Sequence, residues 1–148
     1  MKTLTILAIA VLIGTTTMAA DGWLTDFEAA KKEAAEKGVP ILADFAGSDW
    51  CGWCIKLDRE VFLKKEFTDY AKDNLVLLLV DFPSSKEQSE EVKKQNQELS
   101  KEYSVKGFPT VLLLDAEGKK LAQTGYQRGG PKKYVKHVKA LLEKAEKK

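Results

Sequence analysis

Apolar positions along this chain fall into short runs that are typical of β-strands. Residues 39–45 and 75–80 are almost uninterrupted apolar stretches, the pattern of strands that are covered on both faces. Residues 111–114 form another apolar run, and residues 119–124 follow it after 115–118, whose Asp-Ala-Glu-Gly sequence has hairpin-turn chemistry. The pattern therefore predicts two buried strands followed by a β-hairpin.

Amphipathic stretches with helical spacing separate these runs. Thr25 and Glu28 have the spacing of a capping box, which predicts a helix over residues 26–37 with Thr25 as its N-cap and Gly38 as its end. Four further helices are predicted: one from Cys51 onward, a short one that ends at Asn74, a polar one over residues 87–101, and a last one that Pro131 opens.

The order of these elements predicts an α/β protein. Early strands that alternate with helices pair in parallel through crossovers, and the hairpin adds an antiparallel edge. We expect a central mixed sheet of about four to five strands flanked by helices. The 148 residues suit one domain, and no internal repeat or linker is visible, so residues 21–148 are expected to form it.

Composition and charge narrow the function classes. The 24 basic residues nearly balance the 22 acidic ones, which leaves a net charge of +2, and no basic face with interleaved aromatics is present. Nucleic-acid binding is therefore not expected.

The first twenty residues differ from the rest of the chain. Lys2 precedes an apolar run over residues 4–13, and small residues around Ala19 and Ala20 follow it, which is the pattern of a cleaved signal peptide over residues 1–20. An uncleaved anchor is the alternative, but the run is shorter than the roughly 20 residues that a membrane span needs. We therefore expect export to an oxidising compartment, where disulfides form.

The two cysteines of the chain carry its most specific chemistry. Cys51 and Cys54 enclose Gly52 and Trp53, at the predicted start of a helix. A bridge across two residues removes little unfolded-state entropy, so a redox role explains it better than a structural one. Two cysteines and one histidine do not supply the four ligands of a zinc site, and a c-type haem needs His rather than Ile55 after the second cysteine. No metal or other cofactor is expected.

The segment 44–54, together with Gly107-Phe108-Pro109-Thr110 before the hairpin, resembles the thioredoxin fold, and in particular the exported bacterial thioredoxin-like proteins related to the C-terminal domain of the disulfide-interchange transporter DsbD. The resemblance covers residues 22–145. It implies a periplasmic thiol:disulfide oxidoreductase that acts on exported proteins with disulfides and is recharged by a membrane or periplasmic thiol donor. One departure is that Gly52-Trp53 replaces the Gly-Pro of ordinary thioredoxin, so that protein's redox potential does not carry over.

Catalytic roles are expected for three residues. Cys51, at the helix N-terminus, would be the nucleophile, and Cys54, one turn further and more buried, would resolve the mixed disulfide. Asp44 is either an exposed carboxylate at the strand end or, as the resemblance implies, a buried acid that exchanges protons with Cys54. Pro109 reads as a turn proline from sequence alone, whereas the resemblance implies a cis proline beside the redox pair.

The substrate-binding surface is expected around these cysteines. Trp50 and Trp53 are either core aromatics or, more in keeping with a reactive sulfur nearby, an apolar docking rim that continues with Gly52, Phe108 and Pro109.

The leading hypothesis for the function is a monomeric reductase. An oxidase would use the same residues in reverse, an isomerase usually needs a dimerisation domain for which the predicted elements leave no residues, and a non-catalytic metal-binding module is the remaining alternative.

Overall fold

A computed structural model describes residues 18–20 and 22–148 of the chain. Most of the predicted signal peptide therefore lies outside the described residues. The strands are β1 (Met18–Ala20), β2 (Trp23–Leu24), β3 (Ile41–Ala46), β4 (Val76–Asp81), β5 (Thr110–Leu114) and β6 (Lys120–Thr124). The helices are α1 (Phe27–Lys37), α2 (Gly52–Leu57), α3 (Lys65–Asn74), α4 (Glu90–Glu102) and α5 (Gly130–Glu146), and a π-helical turn, Asp58–Phe62, continues α2.

Within the described residues, six strands form one sheet in the order β1-β2-β4-β3-β5-β6. Strands β3 and β4 run parallel, with Asp44 opposite Leu79. Strand β5 runs antiparallel to β3, and the hairpin partner β6 closes that edge. The predicted α/β class and mixed sheet are confirmed. The two short strands β1 and β2 were not predicted, because two or three residues carry no measurable alternation, and β1 lies inside the segment assigned to the signal peptide.

The two faces of the sheet bury separate layers of side chains because successive strand residues point to opposite faces. Leu42 and Leu77 pack with residues of α2, α3 and α5, among them Phe67 and Tyr134. Side chains that alternate with these pack with α1 and α4 on the other face: Ile41, Ala43, Phe45, Val76, Leu78 and Val80. Both central strands are thus covered on both sides, as their continuous apolar sequence predicts.

The start of α1 differs from the sequence prediction. Asp26, not Thr25, is the N-cap, and its Oδ1 accepts from the Ala29 backbone N–H at 2.7 Å. An Asp carboxylate competes well for this position because it accepts the bond with a full negative charge beside the positive helix end. The end of the helix is as predicted, with Gly38 in the left-handed conformation at φ 66°.

Helix α4 packs through polar groups as much as through its thin apolar stripe. It begins three residues later than predicted, with Ser89 as the N-cap. The Asn96 amide is buried and donates to the Asp81 carbonyl at 2.9 Å, and the Gln95 amide bonds both the Phe27 N–H and the Thr25 carbonyl. These bonds tie α4 to the end of β4 and to the start of α1.

Candidate active site

Cys51 and Cys54 form a disulfide at the start of α2. Cys51 is the N-cap of this helix, and its Sγ accepts from the Cys54 backbone N–H at 3.2 Å. The Cys51 N–H is bonded in turn to the Gly47 carbonyl at 2.8 Å, which fixes the entry of the chain into the helix. Cys54 was expected to be the more buried of the two, yet the exposed fractions are nearly equal, 7% for Cys51 and 5% for Cys54. Gly52 lies exposed in the first turn between them.

Asp44 lies in the middle of the sheet beneath this helix. Its register puts it opposite Leu79 of β4 and Val111 of β5, on the same face as Leu42. Its side chain is 6% exposed, and its Oδ1 has no hydrogen-bond partner among the described residues. Burial, with a smaller contribution from the nearby carboxylates Asp58 and Asp81, raises the pKa of Asp44 to about 8.

A cavity of about 340 Å³ connects Asp44 with Cys54. Its wall also includes Asp58, from the π-helical turn, and Lys86, from the segment after β4. Burial raises the pKa of Asp58, while the cations Lys86 and Arg59 act in the opposite direction. Sequence reasoning missed Asp58, although its spacing of four residues from Cys54 places both on one face of a helix. Lys86 had no comparable signal, because its position depends on how a loop folds back.

The loop that precedes Cys51 is joined to the segment after β4 by side-chain bonds. The Asp49 carboxylate accepts from the backbone N–H groups of Ser84, Ser85 and Lys86 at 2.9, 2.7 and 3.1 Å. These bonds hold the pKa of Asp49 below its usual range. Ser48 donates from both its backbone N–H and its hydroxyl to the buried Asp81 carboxylate. Side-chain hydrogen bonds of Ser48 and Asp49 therefore fix the loop before Cys51 to the end of β4 and to the segment that follows it.

Trp50 lies at the surface on this loop, with 53% of it exposed. Its indole Nε1 donates to the Phe82 carbonyl at 2.7 Å, and its ring meets Phe108 edge to face at 6.0 Å between centroids. Gly47 lies beneath the ring, where a Cβ would overlap the indole. Trp50 is thus exposed but held in place.

Phe108 and Pro109 come to the same surface from the segment before β5. The peptide bond between them is cis. The Phe108 ring stacks on Phe82 at 5.1 Å and packs against the cluster of Ala46, Cys51 and Cys54. The structure thus brings Trp50 and Phe108 together beside the disulfide from two separate segments, and Pro109 follows Phe108 directly in the chain.

Trp53 lies on the exposed side of α2, with 54% of it accessible. Its ring contacts Tyr126, a residue that sequence reasoning did not select, with 5.1 Å between centroids. Neither Trp50 nor Trp53 is a core residue, so the interpretation of the two as core aromatics is wrong.

The residues that the structure describes contain no group of three or more His, Cys, Asp and Glu side chains able to hold a metal ion. Over the same residues, no helix combines the length and the apolarity that crossing a membrane requires.

Most of the chain matches a known protein family. Residues 27–141 match the family described as thioredoxin-like domain. The chain belongs to the thioredoxin-like family. The family expected from the segment 44–54 is thereby confirmed.

Relatives with this thioredoxin-like domain include disulfide-exchange proteins. Disulfide bond reductase DsbH of Chlamydia pneumoniae is 46% identical over 103 residues, 70% of this chain and 62% of that protein. Thiol:disulfide interchange protein DsbD of Actinobacillus pleuropneumoniae serotype 5b (strain L20) is 34% identical over 101 residues, 66% of this chain and 15% of that protein. The chain thus spans less than two thirds of the length of either relative.

Solved structures agree with this placement in the thioredoxin-like family. The structure of DsbH oxidoreductase has a TM-score of 0.78 at 36% identity and covers 95% of both chains. A thioredoxin from Thermus thermophilus has a TM-score of 0.61 at 16% identity, over 83% of this chain and 88% of that one, a likeness in fold alone.

Proposed function

We propose that this chain is an exported thiol:disulfide oxidoreductase that reduces disulfides of periplasmic proteins through Cys51 and Cys54. The observation that carries the proposal is the disulfide at the first turn of α2, with a buried carboxyl group across a cavity from Cys54. A bond that joins residues three apart does little to stabilise a fold, so its use lies in opening and closing.

In the first step the reduced Cys51 acts as the nucleophile. Free N–H groups and the positive end of the helix stabilise its thiolate, and the Cys54 N–H that faces Cys51 Sγ is one of these donors. The thiolate attacks one sulfur of the substrate disulfide. A new S–S bond forms to Cys51, the substrate bond breaks, and the second substrate sulfur leaves as a thiolate.

In the second step Cys54 attacks the sulfur of Cys51. The Cys51–Cys54 bond forms, the mixed disulfide breaks, and the reduced substrate leaves. Two electrons pass from the cysteine pair to the substrate. The Cys51 proton goes to solvent and the Cys54 proton to Asp44, and the two leaving sulfurs take up protons from the solvent.

Asp44 serves Cys54 in both directions of this exchange. With a pKa of about 8 it holds a proton for most of the time at neutral pH while the disulfide is closed. It gives that proton to the Cys54 sulfur when a donor reduces the pair, and it takes the proton back when Cys54 attacks. The cavity between the two groups is large enough for water to carry the proton.

The substrate binds over Trp50, Gly52, Trp53, Phe108 and Pro109. The two exposed indoles offer apolar area beside the disulfide, and the backbone next to Pro109 offers hydrogen bonds to an extended substrate strand. Substrates of this kind are exported proteins that contain disulfides.

The reducing direction and the periplasmic location draw support from different observations. The 46% identical relative DsbH is a disulfide bond reductase. The apolar run at residues 4–13 has the form of a cleaved signal, and the relationship to DsbD fits a thiol electron donor in or at the membrane. The protein would act as a monomer.

Insulin reduction tests the mechanism. We expect Cys51→Ser to abolish it, because the nucleophile is lost. Cys54→Ser should accumulate mixed disulfides that separate on a non-reducing gel, and the double variant is the matched control, which must trap nothing. A Cys51→Ser protein that reduces insulin at the wild-type rate would refute the assignment. A Cys51–Cys54 reduction potential of about −120 mV would rule out the reducing direction but leave the residues' roles intact.

A further inference from the structure

The ring of Trp53 is exposed yet buttressed from one side. Tyr126 contacts it with an interplanar angle of 49°, and Lys56 Nζ lies 5.9 Å from the centroid of each of the two rings. An ammonium group at this distance is attracted to the electron-rich face of both aromatic rings. The proposed redox chemistry does not use Tyr126 or Lys56.

One carboxylate ties these supports together. Glu60 receives the Tyr126 hydroxyl on Oε2 at 2.5 Å and the Lys56 ammonium close to Oε1 at 3.0 Å. The bond from Tyr126 and the ion pair with Lys56 lower the pKa of Glu60, and the same contacts raise the pKa of Tyr126 and of Lys56. Both oxygens of a charged Glu60 are therefore engaged.

The four residues come from two places in the chain. Trp53, Lys56 and Glu60 follow one another at spacings of three and four residues, which puts them on one face of α2 and its π-helical continuation. Tyr126 comes from the segment after β6 and packs against that face from outside. The backbone of Trp53 lies inside the small ring that the disulfide closes, so the orientation of its indole depends on these side-chain contacts.

We propose that Tyr126 and Glu60 are positioning residues that hold the Trp53 ring as a preformed wall of the substrate-binding surface. This inference rests on the proposed function, since it assigns the substrate to that surface. Trp50 is held separately by Phe82 and Phe108, so both exposed indoles beside the disulfide are fixed before a substrate arrives. A substrate then binds without the entropic cost of ordering them.

The fixed wall favours a definite class of substrate. An indole face that is already oriented gains most from an apolar or aromatic side chain next to the substrate cysteine. Insulin offers such side chains, whereas glutathione disulfide has only Glu, Cys and Gly residues. Loss of the buttress should therefore weaken insulin binding more than glutathione disulfide binding.

The test compares Tyr126→Ala, Tyr126→Phe and Glu60→Gln with wild type. An aromatic contact of this kind corresponds to about a two- to tenfold change in an equilibrium constant. We expect Tyr126→Ala to raise KM for insulin by that factor with little change in kcat, and to raise KM for glutathione disulfide less. Tyr126→Phe and Glu60→Gln should give smaller shifts in the same direction. Tyr103→Phe, which removes the hydroxyl bond to the Gly118 carbonyl elsewhere in the fold, is the matched control.

A spectroscopic readout isolates the position of the ring. With 5-fluorotryptophan incorporated, Glu60→Gln, which keeps the Tyr126 ring, should shift the fluorine resonance of Trp53, while those of Trp23 and Trp50 stay as in wild type. An unmoved Trp53 resonance, or an unchanged KM for insulin in all three variants, would overturn the positioning role and leave the redox function standing. A wild-type protein that fails to reduce insulin would instead overturn the function, and the substrate wall with it.

Discussion

Asp44→Asn removes a carboxyl group that the fold holds in the middle of the sheet, 6% exposed and with one oxygen unpartnered among the described residues. Desolvation is the main reason why its pKa rises from 3.8 to about 8, with Asp58 and Asp81 adding to the shift. The unfolded chain has no such environment. The folded protein therefore binds this proton more tightly than the unfolded chain does.

The sign and size of the effect follow from linkage. Because the folded state binds more protons between pH 3.8 and about 8, stability falls as pH rises through that window. The loss of stability is absent below the pKa that Asp44 has in the unfolded chain and complete above the pKa that it has in the folded protein. Its slope is about 1.4 kcal/mol per pH unit, which amounts to about 3 kcal/mol between pH 5 and pH 7. That is a large part of the total free energy of unfolding of a native protein, which is roughly 5–15 kcal/mol.

Urea unfolding of the oxidised protein measures this slope. The difference in unfolding free energy between Asp44→Asn and wild type should change by about 3 kcal/mol in favour of the variant from pH 5 to pH 7. A constant offset from the buried amide does not affect this comparison. Asp73→Asn, which changes the same charge at an exposed position of α3, is the control. If the wild-type and Asp44→Asn curves run parallel over this range, the buried carboxyl group does not have the raised pKa.

Three other substitutions test the loop before the disulfide and the buried layer beneath α3. Gly47→Ala places a Cβ where the Trp50 ring lies, so we expect the ring to be displaced, seen as a shift of its indole N–H resonance; an unchanged resonance would show that Gly47 does not support it. Asp49→Ala removes the acceptor for three N–H groups of residues 84–86, and limited proteolysis should cut there sooner than in wild type, whereas equal cleavage rates would show that these hydrogen bonds do not hold the segment. Phe67→Ala opens a cavity in the fully buried layer beneath α3 and should cost about 3–5 kcal/mol by urea unfolding; a loss below about 1 kcal/mol would mean that the layer closes over the gap.

Local sequence determined the elements and the chemistry of the redox pair. The apolar runs at residues 39–45 and 75–80 became the two central strands because a strand buried on both faces has no polar alternation. Cys51 became the N-cap of α2, and the spacing to Cys54 allows the bond that the structure contains. These features depend on neighbours in the chain, so they can be read from it directly.

The environment of the pair depended on the tertiary structure. Asp44 could have been an exposed strand end or a buried acid, and only the packing of α2 over β3 decided between them. Lys86 and Tyr126 reach the site from segments 30 or more residues away from Cys54 along the chain, and no pattern within those segments marks them. Desolvation, charge pairing and ring contacts arise between elements that folding brings together. The sequence alone therefore identifies the reacting cysteines but not the environment that sets their reactivity.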